Sequence, residues 1–402
     1  MGDVTQQRRE FMRLGVKGLA AFAGGSLLSN CNSTFPRQQA SAAKIDDGLF
    51  GNLSTLGPLQ APDENGMMLP AGYRSRIIAR TGQRPVPDSE YVWHMAPDGG
   101  ATFQADDGGW VYVSNSEMPN NTGGVGALRF NSRGDLVDAY SILSDTTDNC
   151  AGGKTPWQTW LSCEEHDRGM VFECDPFGVK KAQAKPALGV FNHEAVAVDP
   201  INQHLYLTED EPDGCLYRFR PTNPFPDLNE GILEVAIVND VKGHLSVSWQ
   251  QIIDPTAAFS STRNQVAAAA RFDGGEGIAY HNGTIYFTTK GDNRVWAYHI
   301  ANQKLNILYD VATSPTPVLS GVDNVTITPT GDVLVAEDGG NMQLVALSES
   351  GEVVPVLQLV GQDESELTGP AFDPYYRRLY VSSQSGYSDS GPGFTYEIYR
   401  VT

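Results

Sequence analysis

The fold is decided by the stretch Glu194-Ala-Val-Ala-Val-Asp-Pro, which is followed after a short turn by His204-Leu-Tyr-Leu-Thr-Glu209-Asp210. The first run is a short apolar segment that opens with a polar residue, and the Asp-Pro pair breaks it. The second run ends in threonine and two acids. This pattern predicts two adjacent strands joined by a turn, with acidic side chains at one end of the pair.

The same two-strand pattern recurs along the chain and is followed by a third strand with a basic or aromatic signature, such as Leu216-Tyr-Arg-Phe219. Besides the first copy, the repeats are Trp110–Glu117, Thr159–Glu165, Glu276–Thr289, Asp323–Asp338 and Gly369–Ser383. Six copies of a unit with about four strands predict an all-β protein that folds as a six-bladed β-propeller. Periodicity alone leaves a stacked sandwich or a solenoid open.

The spacing between repeats is uneven at one point, because 80 residues separate Glu209 from Thr289. This gap predicts an insertion after the third or fourth blade, at about residues 221–270. The strand Tyr73–Ala79 is expected to close the ring by pairing into the last blade. The result is a single propeller domain over residues 44–402, which we expect to be monomeric.

The first 43 residues have the features of an export signal rather than of a folded segment. Arg8 and Arg9 are followed by Phe11 and then by the weakly hydrophobic segment Leu14–Ser29. This is the twin-arginine pattern, which predicts recognition by the Tat translocase and a periplasmic or secreted protein. At about sixteen residues the apolar segment is short for a membrane span, which needs roughly 20, and no later stretch is apolar enough.

The cleavage site of this signal is ambiguous. Leu28-Ser29-Asn30-Cys31 resembles a lipoprotein processing site, so a lipid anchor on Cys31 is possible in principle. Ala40-Ser41-Ala42 offers an A-x-A site instead and is slightly favoured.

The formal net charge of −20 excludes partners that require basic surfaces. Nucleic acids and anionic membranes both attract positive patches, so we expect neither to bind. Two interpretations remain: the acids keep the surface soluble, or they gather as ligands for hard cations.

The positions of the acids favour the second interpretation. In a propeller the innermost strands line a central channel, and the repeats bring their polar residues to one mouth of it. Counting 15 residues from Glu194, Cys150 and Asp323 gives Glu209, Glu165 and Asp338. The predicted metal-site residues are Cys150, Glu164, Glu165, Glu194, Glu276, Glu117, Glu209, Asp210, Asp323, Asn324, Glu337 and Asp338, with Asn115 beside them.

So many carboxylates repel one another strongly in a small cavity unless cations compensate them. The motifs contain only two cationic side chains, Lys154 and Lys290. Metal ions are therefore the expected compensation. Clusters of oxygen ligands suit Ca²⁺, whereas the thiolate of Cys150 among carboxylates suits a transition ion such as iron.

One long motif, Asn149-Cys150-Ala-Gly-Gly-Lys-Thr-Pro-Trp157-Gln-Thr-Trp160-Leu-Ser-Cys-Glu164-Glu165, closely resembles the PhoX-type alkaline phosphatases. The resemblance extends over nearly the whole mature chain. It includes Leu69–Tyr73, His193-Glu194-Ala, Tyr206–Asp210, Glu276-Gly-Ile, Asp323-Asn324, Ala336–Gly339 and Gly369-Pro370.

This resemblance implies a twin-arginine-exported propeller that hydrolyses small phosphate monoesters with Fe³⁺ and Ca²⁺ in the channel mouth. It implies that Cys150 ligates iron and that Glu165, Glu194 and Glu276 hold iron or bridge to calcium. It also implies that Glu117, Asp323 and Glu337 hold calcium. Cations would polarise the phosphate oxygens, and a metal-bound oxo or hydroxide would attack phosphorus. Lys290, Asn115 and Lys154 are the candidates for catalytic contacts with substrate.

Two positions depart from the family pattern. Asn115-Ser116-Glu117 stands where members often have Asn-His-Glu, and Gly274 stands where they often have an arginine that would clamp the phosphate. Lys290 or Arg271 could substitute for that arginine. An alternative function is therefore a metal-stabilised propeller without catalysis that binds a ligand or a protein partner. A calcium-dependent lactonase or phosphotriesterase is a third possibility, against which the cysteine motif argues.

The export signal gives a first prediction. Replacing both Arg8 and Arg9 with lysine should leave the protein in the cytoplasm, because the receptor of the export pathway reads the arginine pair. Cell fractionation with immunoblotting measures the distribution. Unimpaired export of the double variant would contradict the assignment.

Overall fold

The computed structural model describes residues 49–51, 56–388 and 390–401. These described residues belong to one compact unit. The arginine pair, Cys31 and Ala40-Ser41-Ala42 lie outside the described residues. Among the residues that are described, no helix is both long and apolar enough to cross a membrane.

The described chain consists almost entirely of short strands, together with two single-turn 3₁₀ helices at Pro186–Leu188 and Thr262–Asn264. The strands are β1 (Met67–Met68), β2 (Tyr73–Arg80), β3 (Pro97–Gln104), β4 (Trp110–Ser116), β5 (Gly123–Phe130), β6 (Leu136–Thr146), β7 (Asn149–Lys154), β8 (Trp160–Glu164), β9 (Val171–Cys174), β10 (Gln183–Ala184), β11 (His193–Asp199), β12 (His204–Glu209), β13 (Leu216–Pro221), β14 (Gly231–Val241), β15 (His244–Gln251), β16 (Gly275–His281), β17 (Thr284–Thr289), β18 (Arg294–His299), β19 (Lys304–Asp310), β20 (Val322–Ile327), β21 (Val333–Glu337), β22 (Gln343–Leu347), β23 (Val353–Leu359), β24 (Leu367–Phe372), β25 (Arg378–Ser383) and β26 (Phe394–Arg400).

These strands form five sheets in which neighbours run antiparallel. Two sheets are the four-stranded runs β3-β4-β5-β6 and β7-β8-β9-β10; β20 to β23 make a third, with β1 on its edge. A fourth contains β24 to β26 and β2, and the fifth has nine strands in the order β11-β12-β13-β14-β15-β19-β18-β17-β16. The first strands β3, β7, β11, β16, β20 and β24 contact one another in a closed cycle. The all-β, propeller-like arrangement predicted from the repeats is confirmed.

The ring closes as the sequence predicts. Strand β2 pairs antiparallel with β26, with Tyr73 opposite Arg400 and Ala79 opposite Thr395. Glu397 of β26 is fully buried, and it accepts hydrogen bonds from Arg76 Nε and Nη2 of β2 at 2.9 and 3.0 Å. An N-terminal strand is thereby fastened into the C-terminal sheet by backbone pairing and by a bidentate ion pair.

The region predicted as an insertion contains one strand that continues a sheet and one that does not repeat elsewhere. Residues Gly231–Val235 of β14 pair with β13 and so continue the run that begins with β11. Strand β15 folds back on β14 and then pairs with β19 through Leu245 and Ser246. The long spacing in the sequence is therefore occupied by β14, by β15 and by the loop that follows β15.

The hydrophobic core lies between adjacent sheets. Tyr112 of β4 packs on Tyr380 of β25 with ring centroids 5.0 Å apart, and Trp110 Nε1 donates to the Tyr380 hydroxyl at 2.9 Å. Both tyrosines belong to a core cluster that also contains Trp93, Leu128 and Phe130, so the two sheets share one apolar interface.

Small residues allow the first strands to approach closely around the axis. A Cβ atom at Gly277 of β16 would lie 2.5 Å from the backbone nitrogen of Val325 and 2.8 Å from Asn324 Cα, both in β20. A Cβ atom at Gly99 of β3 would lie 2.5 Å from Ala151 Cα in β7. These separations are shorter than any unstrained contact. The distance between neighbouring first strands therefore depends on glycine, which has no side chain, at positions 99 and 277.

The close approach at Gly277 gives a second prediction. Gly277→Ala should lower the free energy of unfolding by about 1–3 kcal/mol, because the added methyl group overpacks the contact between β16 and β20. Gly57→Ala is the control: a Cβ atom there meets nothing within 4 Å. The control should be neutral or slightly stabilising, since alanine restricts the unfolded chain. Urea denaturation measures both variants, and equal stabilities would contradict the close contact.

Candidate metal centre

The second residue of every first strand occupies an equivalent place beside a shift in the pairing register. In β7, for example, Asn149 pairs with Glu164 and Gly152 with Ser162, and Cys150 lies within the shift between them. The same shift follows the first residue of β3, β11, β16 and β20. In β24 the shift begins one residue later, after Thr368. We call these second residues the axial residues; they are Asp98, Cys150, Glu194, Glu276, Asp323 and Thr368.

A second set of equivalent residues follows the second strand of each run. The backbone N–H of Glu165 donates to the carbonyl of Asp148 at 2.7 Å, and the same bond joins the corresponding residues of the other runs. In each case the acceptor lies two residues before the axial residue. We call the donors the rim residues; they are Glu117, Glu165, Asp210, Lys290, Asp338 and Gln384.

The axial and rim side chains form a continuous arc of possible metal ligands. Four groups each have ligand atoms within 4.8 Å of one another, and each group shares a member with the next. They are Asp98–Glu117–Cys150, Cys150–Glu165–Glu194, Glu194–Glu276–Asp323 and Asp323–Asp338–Glu366. The arc therefore contains eight carboxylates and one thiol.

Glu194, near the middle of the arc, carries the least compensated carboxylate. Its side chain is fully buried, and neither carboxylate oxygen has a hydrogen-bond partner. Burial raises the pKa of Glu194 well above its ordinary value, and the neighbouring Glu276 and Glu165 raise it further. A carboxylate in such a place is costly unless a proton or a cation neutralises it.

The axial neighbours of Glu194 show the same effect. Burial, followed by the charge of Glu117, raises the pKa of Asp98 well above its usual range. Burial also raises the pKa of the Cys150 thiol, and Asp98 and Glu194 add to the shift. Without a cation this thiol stays protonated, whereas a bound metal ion ionises a coordinating thiol.

Lys290 is the cation of the arc. Its Nζ lies 3.1 Å from Glu276 Oε1, 3.1 Å from Asp338 Oδ2 and 3.3 Å from Asp323 Oδ2, and the geometry of a hydrogen bond is met toward Asp338. Burial alone would lower the pKa of Lys290, but the three carboxylates outweigh burial and raise it.

The compensation by Lys290 is confined to one half of the arc. Within the described part of the chain, no lysine or arginine nitrogen lies within 4.0 Å of Asp98, Glu117, Glu165 or Glu194. The half of the arc around Cys150 therefore holds four carboxylates without a neutralising side chain.

Three predicted ligands point away from the arc. Glu164, Glu209 and Glu337 end the second strands, one residue before a rim residue. Glu337 accepts from the backbone N–H groups of Ser320 and Gln343, both at 2.9 Å. Because successive side chains of a strand point to opposite faces, the first acid of each acidic pair turns outward and the second turns toward the channel. Glu165 and Asp338 thereby join the ligand groups, whereas the predicted ligand Asp210 belongs to none of the four.

The other two outward-pointing acids are held by similar partners. Glu164 accepts from the N–H of Thr147 at 3.1 Å and of Met170 at 3.2 Å. Glu209 accepts from the Tyr217 hydroxyl at 2.8 Å and from Arg263 Nη1 at 2.9 Å. Glu209 is therefore equivalent to Glu164 and Glu337, which also end their strands. The residue equivalent to Glu165 and Asp338 is Asp210, one position later than the count of 15 from Glu194 predicts.

The two predicted asparagines bind backbone groups of neighbouring strands, and Asn324 also contacts an axial carboxylate. Asn115 Nδ2 donates to the carbonyls of Cys150 at 2.9 Å and Ala151 at 2.8 Å, while Oδ1 accepts from Trp160 Nε1 at 2.8 Å. Asn324 Nδ2 donates to Asp323 Oδ1 at 2.7 Å. Asn324 Oδ1 accepts from the backbone N–H of Gly369 at 2.7 Å. Asn115 thus fixes the segment of β7 that carries Cys150.

Lys154 is not brought to the arc. It ends β7, four residues after Cys150, and its Nζ donates to the carbonyl of Thr102 at 2.6 Å. Four residues of a strand span about 13 Å, so Lys154 lies toward the opposite mouth of the channel.

Sequence reasoning missed Asp98 and Glu366. Asp98 could have been found, because Pro97-Asp98-Gly99-Gly100 matches the register of Asn149-Cys150-Ala151-Gly152. Glu366 gave no such signal: it lies two residues before Thr368, the axial residue that lacks an acid, and its counterparts in other runs are not ligands of the arc. The remaining described cysteines, Cys163, Cys174 and Cys215, are buried and free.

Comparisons with known proteins place this geometry in a family. A profile described as "Alkaline phosphatase PhoX" matches residues 122–169, 166–306 and 298–386. No curated protein matches the sequence. The structure of Pseudomonas fluorescens PhoX in complex with vanadate, a transition state analogue, aligns with a TM-score of 0.69 and 16% identity, over 88% of this chain and 98% of that one.

Other solved structures align with this chain at lower similarity. XC5397 from Xanthomonas campestris, described as a gluconolactonase, aligns with a TM-score of 0.50 and 13% identity, over 86% of this chain and 98% of that one. A Bacteroides thetaiotaomicron protein of unknown function aligns with a TM-score of 0.51 and 9% identity, over 85% and 84% of the two chains. At such identities the alignments show the fold alone.

The profile covers residues 122 to 386, which is well over half of the 402 residues, and it includes the Cys150 motif. The resemblance seen in the sequence is therefore confirmed, as is the prediction that the protein is a phosphatase. The chain belongs to the PhoX family of alkaline phosphatases.

Proposed function

We propose that the protein is a metal-dependent phosphomonoesterase that hydrolyses small phosphate monoesters outside the cytoplasm. The observation that carries the proposal is the continuous arc of eight carboxylates and one thiol, of which the half around Cys150 has no compensating side chain. Cations neutralise such an arrangement while keeping the carboxylates ionised, and clustered cations suit the binding of a phosphate dianion.

The donor atoms fit two kinds of metal ion. Cys150 belongs to two ligand groups, one with Asp98 and Glu117 and one with Glu165 and Glu194. A thiolate among carboxylates suits a transition ion, which we propose to be Fe³⁺ held by Cys150. The groups that contain Glu276, Asp323, Asp338 and Glu366 offer oxygen atoms alone and suit Ca²⁺. When bound, these ions would supply Lewis-acid polarisation of the phosphate oxygens.

Lys290 is the residue that we assign to substrate binding. Its side chain is 34% exposed, so the ammonium group can reach a phosphate in the mouth. Gly274 stands where family members often have an arginine, and a Cβ atom built there lies 3.7 Å from Lys290 Cβ. We infer that Lys290 takes over the charge of that arginine, as a point charge rather than as a bidentate clamp.

Lys290 also orients the site before substrate arrives. Its ammonium contacts Glu276, Asp323 and Asp338, and it therefore reduces the repulsion among three carboxylates of the arc. If those carboxylates ligate calcium, the ammonium group regains donors for a phosphate oxygen.

A second candidate function is a metal-stabilised propeller that binds a ligand or partner without catalysis. It is favoured by Gly274, which stands where family members often have an arginine.

The finer organisation of the protein is part of the proposal. We count the nine-stranded sheet as two blades, β11 to β14 and β16 to β19, which makes six blades with β15 and its following loop as the insertion. We propose one domain over residues 44–402, export by the Tat translocase and a monomeric periplasmic or secreted enzyme.

Replacing Cys150 with serine tests the metal site. Serine keeps the size of the side chain but not the thiolate, and a neutral hydroxyl is a poor iron ligand. Cys150→Ser should lose iron, any iron–thiolate absorption and phosphomonoesterase activity together, with activity falling about 100-fold or more. Elemental analysis of protein purified without added metal, visible spectroscopy and an assay with 4-nitrophenyl phosphate measure the three quantities.

Cys163→Ser is the matched control, because Cys163 is fully buried in β8 and belongs to none of the four ligand groups. It should retain metal and activity. Full metal content and activity in Cys150→Ser would refute the iron–thiolate site. Wild-type protein that contains metal but hydrolyses no phosphomonoester would instead support the non-catalytic candidate.

Chelation tests calcium. EGTA should lower both the melting temperature and the activity, because an ion bound only by the folded state stabilises that state by mass action. At 100 times the dissociation constant, this stabilisation is about 2.7 kcal/mol. EGTA preloaded with Ca²⁺ is the control and should have no effect. A melting temperature that differential scanning fluorimetry finds unchanged by EGTA would contradict calcium binding.

A further inference from the structure

The channel has a second cavity beyond the metal-ligand arc. Beyond the axial residues, the later residues of the six first strands enclose a cavity of about 350 Å³. Lys154 and Tyr376 are exposed where this cavity opens to solvent. We call it the lower cavity. Its volume lies in the range of small-molecule sites in proteins.

A narrow neck separates the lower cavity from the arc. The residues that follow the axial residues are small, among them Gly99, Ala151, Ala195, Gly277 and Gly369, and they enclose only about 40 Å³. This volume is close to that of a single water molecule, about 30 Å³. A phosphate ester at the arc cannot enter the lower cavity, so the two ends of the channel are separate sites.

Lys154 gives the lower cavity an uncompensated positive charge. Its Nζ donates to the Thr102 carbonyl at 2.6 Å and lies 5.2 Å from the centre of the Phe103 ring. Among the described residues, the other two N–H groups of this ammonium have no hydrogen-bond acceptor. In the described part of the chain, no carboxylate lies within 4.0 Å of this nitrogen. The channel walls lower the pKa of Lys154 to about 8 by desolvation, so the ammonium form predominates at neutral pH.

Two acids directly follow cavity-lining residues in the sequence, but their carboxylates are bound to backbone groups of turns. Asp199 follows the last channel residue of β11, and its Oδ1 accepts from the N–H of Ile201 at 2.9 Å. Asp373 follows the last residue of β24, and its Oδ1 accepts from the N–H of Arg378 at 2.8 Å. Both carboxylates are directed into turns. An unpaired lysine at a cavity is notable in a protein of net charge −20.

The lining of the lower cavity contains no charged side chain besides Lys154. Val198, Ile278, Phe372 and Trp160 contribute apolar surface, while Thr102 and Thr326 contribute polar groups. A single ammonium group suits a monoanion, since a phosphate dianion would need a second positive group. Walls of mixed but uncharged side chains suit a ligand whose body carries no further charge.

We propose that the lower cavity is a second ligand site, which takes a small organic monocarboxylate with an uncharged body and binds its carboxylate through Lys154. The site is independent of phosphomonoester hydrolysis at the arc. The ligand enters from the mouth opposite the metal-ligand arc, and its uncharged body lies against the walls formed by β11, β16, β20 and β24.

The probe for this site is 4-nitrobenzoate. Its nitroaromatic ring should quench the fluorescence of Trp160, and isothermal titration calorimetry gives its dissociation constant independently. Lys154→Gln should weaken binding at least tenfold, whereas Lys290→Gln, which alters the other mouth, should not. The neutral analogue 4-nitrobenzyl alcohol should bind more weakly than the acid and should be insensitive to Lys154→Gln.

A second variant keeps the test decisive if Lys154→Gln does not fold. Ala279 lines the cavity, and Ala279→Phe should abolish binding by filling it while Lys154 remains. Saturating inorganic phosphate should leave 4-nitrobenzoate binding unchanged. The proposal is overturned by equal affinity of wild type and Lys154→Gln, by undiminished binding to Ala279→Phe, by competition from phosphate, or by the absence of saturable binding.

Discussion

Repulsion among buried carboxylates is the constraint on which this structure depends. Six strands converge on one axis, and five of them place a carboxylate or a thiol at the same level. Burial and mutual repulsion raise the pKa values of Asp98, Glu194 and Glu276, so the protein alone cannot hold them all ionised. Lys290 relieves one half of the arc. The other half requires positive charge from outside the chain, which is the physical basis for a metal site.

The propeller-like fold supplies this convergence by repetition. In each run of strands, the axial residue lies beside a register shift of the first strand. The rim residue follows the second strand, and its N–H donates to the carbonyl two residues before the axial residue. Glycines such as Gly277 let the strands approach closely enough for these side chains to share ligands. Strand β2 closes the ring by pairing with β26, and the ion pair between Arg76 and Glu397 strengthens this closure. The closed ring keeps the first strands, and so the arc, together.

The sequence predicts the fold and most of the arc because the repeats are local patterns with a constant register. Cys150, Glu165, Glu194 and Asp338 follow from it directly. It does not predict which acid of each pair reaches the arc, because that depends on where each strand ends, and Glu337 is instead taken up by two backbone N–H groups. Glu366 lies outside the repeated register and depends on three-dimensional contact alone.

Strand β7 connects the two ends of the channel. It carries Cys150 at one mouth and Lys154 at the other, and Asn115 holds it between them through the carbonyls of Cys150 and Ala151. The Oδ1 atom of Asn115 also accepts from Trp160, which lines the lower cavity. A single amide therefore fixes both the metal-ligand arc and a wall of the opposite cavity. Because four residues of strand, about 13 Å, separate Lys154 from Cys150, the positive charge at one mouth forms no direct ion pair with the carboxylates at the other.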